Sequence, residues 1–284
     1  MSTPIAELLK RDSFIERNAR SRAKALLDEG TMRELAGPFE RLHSPWLALQ
    51  QLVTQADDGV VVAKGRLAGH PTVVLAIEGG FQGGSMGEVG AAKIAGALEL
   101  AARDNRRGIP TRAVILFETG GVRLQEANLG LAGIAEIQSA IVDLRRYQPV
   151  IGVSAGTVGC YGGMSIAAGL CSYLVLTREA RLGLNGPQVI EQEAGAAEFD
   201  SRKRALIWGL TGGEQRVATG LADACVQDDT AAVRETVIQL FARGLPPRHR
   251  SECADDFLAR LERVDTAAQP TPEDVRAIYR QGDA

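Results

Sequence analysis

Thr72-Val73-Val74-Leu75-Ala76-Ile77 leads, past Glu78, into the burst Gly79-Gly80-Phe81-Gln82-Gly83-Gly84-Ser85-Met86-Gly87. A continuous apolar run of this kind suits a strand buried on both faces. The glycines behind it suit a backbone that turns tightly before a helix. The same pattern recurs three times. Ala113-Val114-Ile115-Leu116-Phe117 precedes Thr119-Gly120-Gly121-Val122-Arg123, and Val150-Ile151-Gly152-Val153-Ser154 precedes Gly156 and then Tyr161-Gly162-Gly163-Met164-Ser165. Ser172-Tyr173-Leu174-Val175-Leu176-Thr177 precedes Leu182-Gly183-Leu184-Asn185-Gly186-Pro187.

Helical patterns fill the gaps. Residues 90–103 are rich in Ala and Leu and stop near Gly108-Ile109-Pro110, a helix-ending signal. Residues 124–146 carry Leu129, Ile134, Ile137, Ile141 and Leu144 at roughly helical spacing. Strands alternating with helices argue for an α/β core. We therefore divide the chain into an N-terminal helical extension (1–58), a core (59–228), and C-terminal helices with a tail (229–284). In the first part Phe14, Ile15, Ala19, Ala23 and Leu26-Leu27 recur at helical intervals. In the last, 233–241 and 253–264 read as helices separated by Gly244-Leu245-Pro246-Pro247, and the polar tail from Thr266 reads as only partly ordered.

The 284 residues carry 32 Lys and Arg against 35 Asp and Glu, a net charge of −3. That balance gives nucleic acid and anionic membranes no basic footprint. No apolar run approaches the ~20 residues of a membrane helix, and Met1-Ser2-Thr3-Pro4 does not open a secretory signal. A cytoplasmic location is expected. Cys160, Cys171, Cys225 and Cys253 form no C-x-x-C pair, so a zinc ribbon is excluded, no metal is expected and the thiols read as reduced.

Three chemistries compete for the glycine loops. A dinucleotide site would need G-x-G-x-x-G after its strand, whereas the glycines after Ile77 fall in doublets. A serine hydrolase would use Gly152-Val153-Ser154-Ala155-Gly156 as its elbow, with His249 completing the triad. Thr157-Val158-Gly159-Cys160 then continues as a loop rather than a helix, and His249 lies in the charged stretch Arg248-His249-Arg250, so that elbow is incomplete. The third chemistry is an oxyanion hole of backbone amides, one from Gly120-Gly121 and one from Gly162-Gly163, accepting a thioester oxygen. Each doublet taken alone reads first as a tight strand-to-helix turn; two doublets and a third loop in this order shift the reading towards function.

The ordered motifs carry a resemblance. Gly83-Gly84-Ser85-Met86-Gly87, Gly120-Gly121-Val122-Arg123-Leu124-Gln125-Glu126, Gly162-Gly163 and Gly186-Pro187-Gln188-Val189-Ile190-Glu191-Gln192 resemble the carboxyltransferase β-subunit series of acyl-CoA carboxylases. Ala25-Leu26-Leu27-Asp28-Glu29-Gly30-Thr31 is similar to that family's leader helix. The chain departs from the family in having no four-cysteine ribbon and in carrying Tyr161-Gly162-Gly163-Met164-Ser165 at the second doublet. With its length, this makes it similar to the β subunits of biotin-independent malonate decarboxylases.

The resemblance implies a crotonase-like fold, a spiral of ββα units, here with helical extensions at both ends. It implies decarboxylation of a malonyl thioester on an acyl carrier protein with a CoA-derived prosthetic arm, with no cofactor bound by this chain. The implied partners are the carrier protein and a γ subunit, a second crotonase-like chain. A biotin-dependent carboxyltransferase β subunit and a non-catalytic thioester-binding subunit are the alternatives. Decarboxylation needs donors for the enolate oxygen and no base, and His43, His70 and His249 all lie outside the loops. The backbone of Gly120, Gly121, Val122, Gly162 and Gly163 is expected to be catalytic. Gly83, Gly84, Ser85, Met86, Gly87, Tyr161, Gly186 and Pro187 are expected to bind substrate, with Tyr161 a candidate proton donor. Arg123 and Glu126 are open between a salt bridge, a helix-terminus contact and a substrate carboxylate contact.

Overall fold

The computed structural model describes residues 11–265, 267–268 and 270–280; what was expected of residues 1–10, Thr266, Gln269 and 281–284 lies outside them. The strands are β1 (Arg33–Leu35), β2 (Val60–Leu67), β3 (His70–Ile77), β4 (Arg112–Leu116), β5 (Val150–Ser154), β6 (Tyr173–Thr177) and β7 (Ala224–Val226). The helices are α1 (Ala19–Leu26), α2 (Pro45–Leu49), α3 (Glu88–Arg106), α4 (Asn128–Leu144), α5 (Gly163–Leu170) and α6 (Pro187–Ala194). They continue with α7 (Arg204–Thr211), α8 (Gly213–Ala218), α9 (Thr230–Arg243), α10 (Ala254–Leu261) and α11 (Pro272–Arg280).

All seven strands form one sheet in chain order. β1, β2 and β3 pair antiparallel, and β3 through β7 run parallel. Ala68 and Gly69 close the β2–β3 hairpin with φ of +49° and +79°, the left-handed turn geometry that matches the twist of paired strands.

Strand order dictates where the helices go. Parallel crossovers are right-handed, so with strands laid down sequentially α3, α4 and α5 must land on the same face. The core follows that rule. Val73, Leu75, Ile77, Ala113, Ile115 and Phe117 share one cluster with Ile94, Leu98, Ile137 and Ile141 from the helices. The alternate residues Val74, Ala76, Val114, Leu116, Ile151 and Val153 point the other way. Covering this second face falls to the chain's two ends: Ala19, Ala23 and Leu26 of α1, and Val233, Val237, Leu240 and Phe241 of α9.

Both covering helices have built starts. Asn18 accepts from Ser21 N–H at the start of α1, and Asp229 from Ala232 N–H at the start of α9, the capping that satisfies otherwise orphaned amides. The two ends are also tied to each other, because the Asp228 carboxylate accepts from the Phe14 and Ile15 amides. Segments that read in the sequence as flanks thus form the third layer and, through β1, an edge of the sheet.

Two further segments differ from expectation. The helix expected over 124–146 begins at Asn128, because 124–126 forms a 3₁₀ turn and Ala127, at φ +48°, breaks the run. The polar tail contains α11, whose Tyr279 is buried and whose Pro272 carbonyl accepts from Gln215 of α8.

If α1 is a core layer, truncating it should behave like truncating α3. Leu26 and Leu98 are both fully buried, so Leu26→Ala and Leu98→Ala should each cost about 2–5 kcal/mol. Urea unfolding followed by circular dichroism measures this. A Leu26→Ala loss below about 0.5 kcal/mol, the level of a surface change, would make α1 an appendage.

Candidate active site

The glycine loops gather at the carboxyl ends of the parallel strands, where open α/β sheets place their ligands. They interlock in a short second layer of single parallel bridges, Met86 with Val122, Thr119 with Cys160, and Cys160 with Leu182. Met86 N–H donates to Gly121 O at 2.7 Å, Tyr161 N–H to Thr119 O at 3.0 Å, and Gly183 N–H to Cys160 O at 3.2 Å.

This layer uses most of the amides expected to be catalytic. Gly120 N–H donates to Gly83 O and Gly162 N–H to Leu184 O. Gly121 N–H donates to the Thr119 hydroxyl. Among the described residues the Val122 and Gly163 amides have no such partner. The two doublets press together here. A Cβ on Gly162 would come within 3.2 Å of Gly121 Cα and 3.8 Å of Val122 N. With φ of +109° at Gly121 and +61° at Gly162, any side chain would both strain the backbone and separate the loops. Gly163 opens α5, so its amide is one a helix leaves free, at the positive end of the helix dipole. Two backbone N–H groups, one from each doublet loop, are thus left without a partner among the described residues.

The residues expected to bind substrate are placed differently from one another. Gly83 is exposed, while Gly84 lies against the next loop so closely that a Cβ would overlap Glu118 O. Met86 is 1% exposed and belongs to the core. A Cβ at Gly87 would overlap the Glu126 carboxylate, and the Ser85 carbonyl accepts from Arg123. The stretch 84–87 is therefore packed as a wall of the loop layer. Gly186 caps α6 and Pro187, buried, is its first residue. Tyr161 is 6% exposed, and its hydroxyl is buried with no partner among the described residues. Burial raises its pKa, with Arg181, 5.8 Å from the ring, pulling the other way.

A cavity of about 540 Å³ opens beside this layer, lined by Ile166, Leu182, Gly183, Leu184, Arg216 and Phe257 among others. A larger one, about 780 Å³, sits by α1 and Thr230, away from the loops. Ser154 is fully buried, and its hydroxyl has no partner among the described residues. Arg250, next to His249, donates to Cys171 O, and Ser172 pairs with Val150 at the opposite end of β5 from Ser154. The hydrolase triad is not assembled. His43 and His70 are exposed. Cys160 and Cys171 are buried, which pushes the Cys171 thiol up to about 12.

Arg123 and Glu126 form a buried ion pair, joined by Asp58, a residue that carried no signal in the sequence. Arg123 Nη1 lies 2.8 Å from both Asp58 Oδ1 and Glu126 Oε1, and all three are almost wholly buried. The carboxylates accept in turn from the first amides of α3, Glu126 from Glu88 N–H at 2.6 Å and Asp58 from Gly90 N–H at 2.9 Å. Negative groups at a helix N-terminus are favoured by its dipole. The cluster thus bolts the 120–126 loop to the start of α3, and burial raises the Asp58 pKa against the pull of Arg123. Lys93 donates beside it to Asp57 O, and burial lowers its pKa. No helix among the described residues is long and apolar enough to cross a membrane.

The carboxyl transferase domain family matches residues 16–280. Malonyl-S-ACP:biotin-protein carboxyltransferase MADC of Malonomonas rubra is 37% identical, over 95% of this chain and 89% of its own. A solved Pseudomonas malonate decarboxylase hetero-tetramer in complex with malonate contains a chain 67% identical, matched over 97% of this chain and 100% of that one with a TM-score of 0.94. A Pseudomonas malonate decarboxylase MdcD–MdcE hetero-dimer contains one 63% identical, over 90% and 98%, with a TM-score of 0.76. Transcarboxylase 12S is more distant, at 26% identity, 79% and 40% coverage and a TM-score of 0.67. The sheet, its one-sided helices and these neighbours make the fold crotonase-like, as expected. The chain belongs to the carboxyl transferase domain family.

Proposed function

We propose that this chain is a subunit of a malonate decarboxylase, removing CO2 from a malonyl thioester on an acyl carrier protein to leave the acetyl thioester. The observation that carries the reading is the 67% identity to a chain of a malonate decarboxylase, end to end, and the pair of unused amides at Val122 and Gly163 supplies the chemistry.

The bond between the α-carbon and the carboxylate breaks, CO2 leaves, and its electron pair passes to the thioester oxygen. That oxygen gains charge only as the bond breaks, so two fixed N–H donors stabilise the transition state more than the ground state. The enolate then takes a proton at its α-carbon. Tyr161, next to Gly162, is the donor in this proposal; its raised pKa keeps the phenol protonated. The prosthetic arm follows the cavity beside Gly183 and Leu184. This chain itself binds no cofactor.

The proposed partners are the carrier protein and a second crotonase-like γ subunit. Leu124, Leu131, Ile166 and Leu184, in or next to the segments that carry these loops, are exposed, and exposed large apolar side chains of this kind suit a subunit interface. A cytoplasmic site of action belongs to the same proposal.

The 37% identity to a biotin-protein carboxyltransferase supports a second reading. Both reactions take a carboxyl group from a malonyl thioester through the same enolate, and they differ in where CO2 goes. Assay of the purified complex separates them. Decarboxylation in a biotin-free preparation with avidin present supports the first, and strict dependence on biotin the second.

Two substitutions test the site. Proline is tolerated at the first position of a helix, so Gly163→Pro deletes one donor and should lower kcat by roughly 10²–10³-fold. Gly163→Ala keeps the amide and should stay within a few-fold. Equal activity of the two variants would remove Gly163 from the oxyanion hole. Tyr161→Phe should lower kcat by roughly 10²-fold, and the wild-type profile should have no alkaline limb below about pH 10. Unchanged turnover in Tyr161→Phe would assign the proton to water or to the partner.

A further inference from the structure

Glu118 and Arg22 form a second buried ion pair, on the opposite side of the same loop from Arg123. Glu118 Oε2 lies 2.8 Å from Arg22 Nη1, and the two residues are 4% and 8% exposed. Neither takes part in the chemistry above.

The connections of this pair are unusual. Glu118 immediately precedes Thr119-Gly120-Gly121-Val122, the loop that carries the first donor. Its other carboxylate oxygen, Oε1, accepts from Val158 N–H at 2.8 Å. Val158 lies in the 155–162 loop, which leads to the second donor at Gly163. One carboxylate therefore grips both donor loops. Its backbone carbonyl meets a third, since it is the atom that a side chain on Gly84 would overlap. Gly156 leaves the carboxylate its space, because a Cβ there would coincide with it.

Arg22 fixes the carboxylate from below. Its Nε donates to Phe14 O at 3.0 Å and its Nη2 to Ile15 O at 2.6 Å. Those are the residues whose amides Asp228 holds. The guanidinium is thus anchored in the third layer, and the loops above are anchored to it.

We infer that Glu118 is a positioning residue: held by Arg22, it sets the spacing between the Val122 and Gly163 amides and so the efficiency of the oxyanion hole. The inference rests on the reading of those two amides as the donors. Loops rich in glycine have little side-chain packing of their own to fix their separation. Displacement of a catalytic group by about 1 Å can cost ~10²-fold in rate. A spacing defect of this kind acts on the transition state and leaves ground-state binding largely intact.

The experiment uses the full complex, co-expressed and purified with its partner subunits. Glu118→Gln keeps the shape and the acceptor for Val158 N–H but removes the charge that holds Arg22. It should lower kcat about 10-fold with KM within about threefold. Arg22→Lys keeps the charge but cannot make all the bonds of the guanidinium fork, and should give a smaller loss of the same type. Arg22→Met, which leaves the buried Glu118 unpaired, should exceed both. Size exclusion and thermal melting identify assembled, folded complex, and rates are compared per assembled complex.

A kcat unchanged in both Glu118→Gln and Arg22→Lys would overturn the inference, as would a change confined to KM. If Glu118→Gln does not assemble, Arg22→Lys alone decides, by the same division between kcat and KM. Failure of the underlying reading is seen separately, because Gly163→Pro would then match Gly163→Ala whatever Glu118 does.

Discussion

A parallel sheet built in strict chain order can receive its crossover helices on one side only. Everything else in this molecule answers to that constraint. Right-handed crossovers place α3, α4 and α5 together over one face, and the other face, with Val74, Val114, Leu116 and Ile151, needs a cover from outside the repeating pattern. The two chain ends supply it, pinned to each other through Asp228. One-sided winding also brings the starts of successive helices to the same edge, which is why four separate glycine loops meet there.

Those loops face opposing demands. In the proposed oxyanion hole a carbonyl oxygen must come within hydrogen-bonding distance of backbone N–H groups, which favours glycine. Glycine in turn supplies no side chain to hold the loop still. The fold answers with buried charge on either side of the 118–126 segment. Arg123 joins Asp58 and Glu126 at the start of α3, while Arg22 joins Glu118 above α1. Buried ion pairs are weak contributors to net stability, because desolvation offsets much of their attraction. Their geometry is nonetheless demanding, and removing one partner strands the other. That combination suits a device for holding a loop in one place.

The chemistry assigned to the site is economical. Loss of CO2 from a malonyl thioester and transfer of that carboxyl group elsewhere share the enolate, so one pair of donors serves either outcome. The glycine layer speaks to the enolate. In the proposed chemistry the fate of CO2 is decided by what lies opposite the donors.

Much was legible in the sequence for a physical reason. Continuous apolar runs followed by glycine bursts specify buried strands with tight exits, and the ordered motifs within those bursts carry the resemblance to the family. Local signals of this kind do not say which amides are already used. Gly120 and Gly162 donate to Gly83 O and Leu184 O in other loops, and Gly121 to the Thr119 hydroxyl within its own, which leaves Val122 and Gly163. Nor does an isolated acid in a charged stretch announce a partner. Asp58 meets Arg123 across 65 residues and Arg22 meets Glu118 across 96, distances in sequence that only the folded sheet closes. The terminal segments showed helical periodicity but not that their apolar faces form a core layer, since what they cover exists only once the sheet has wound to one side.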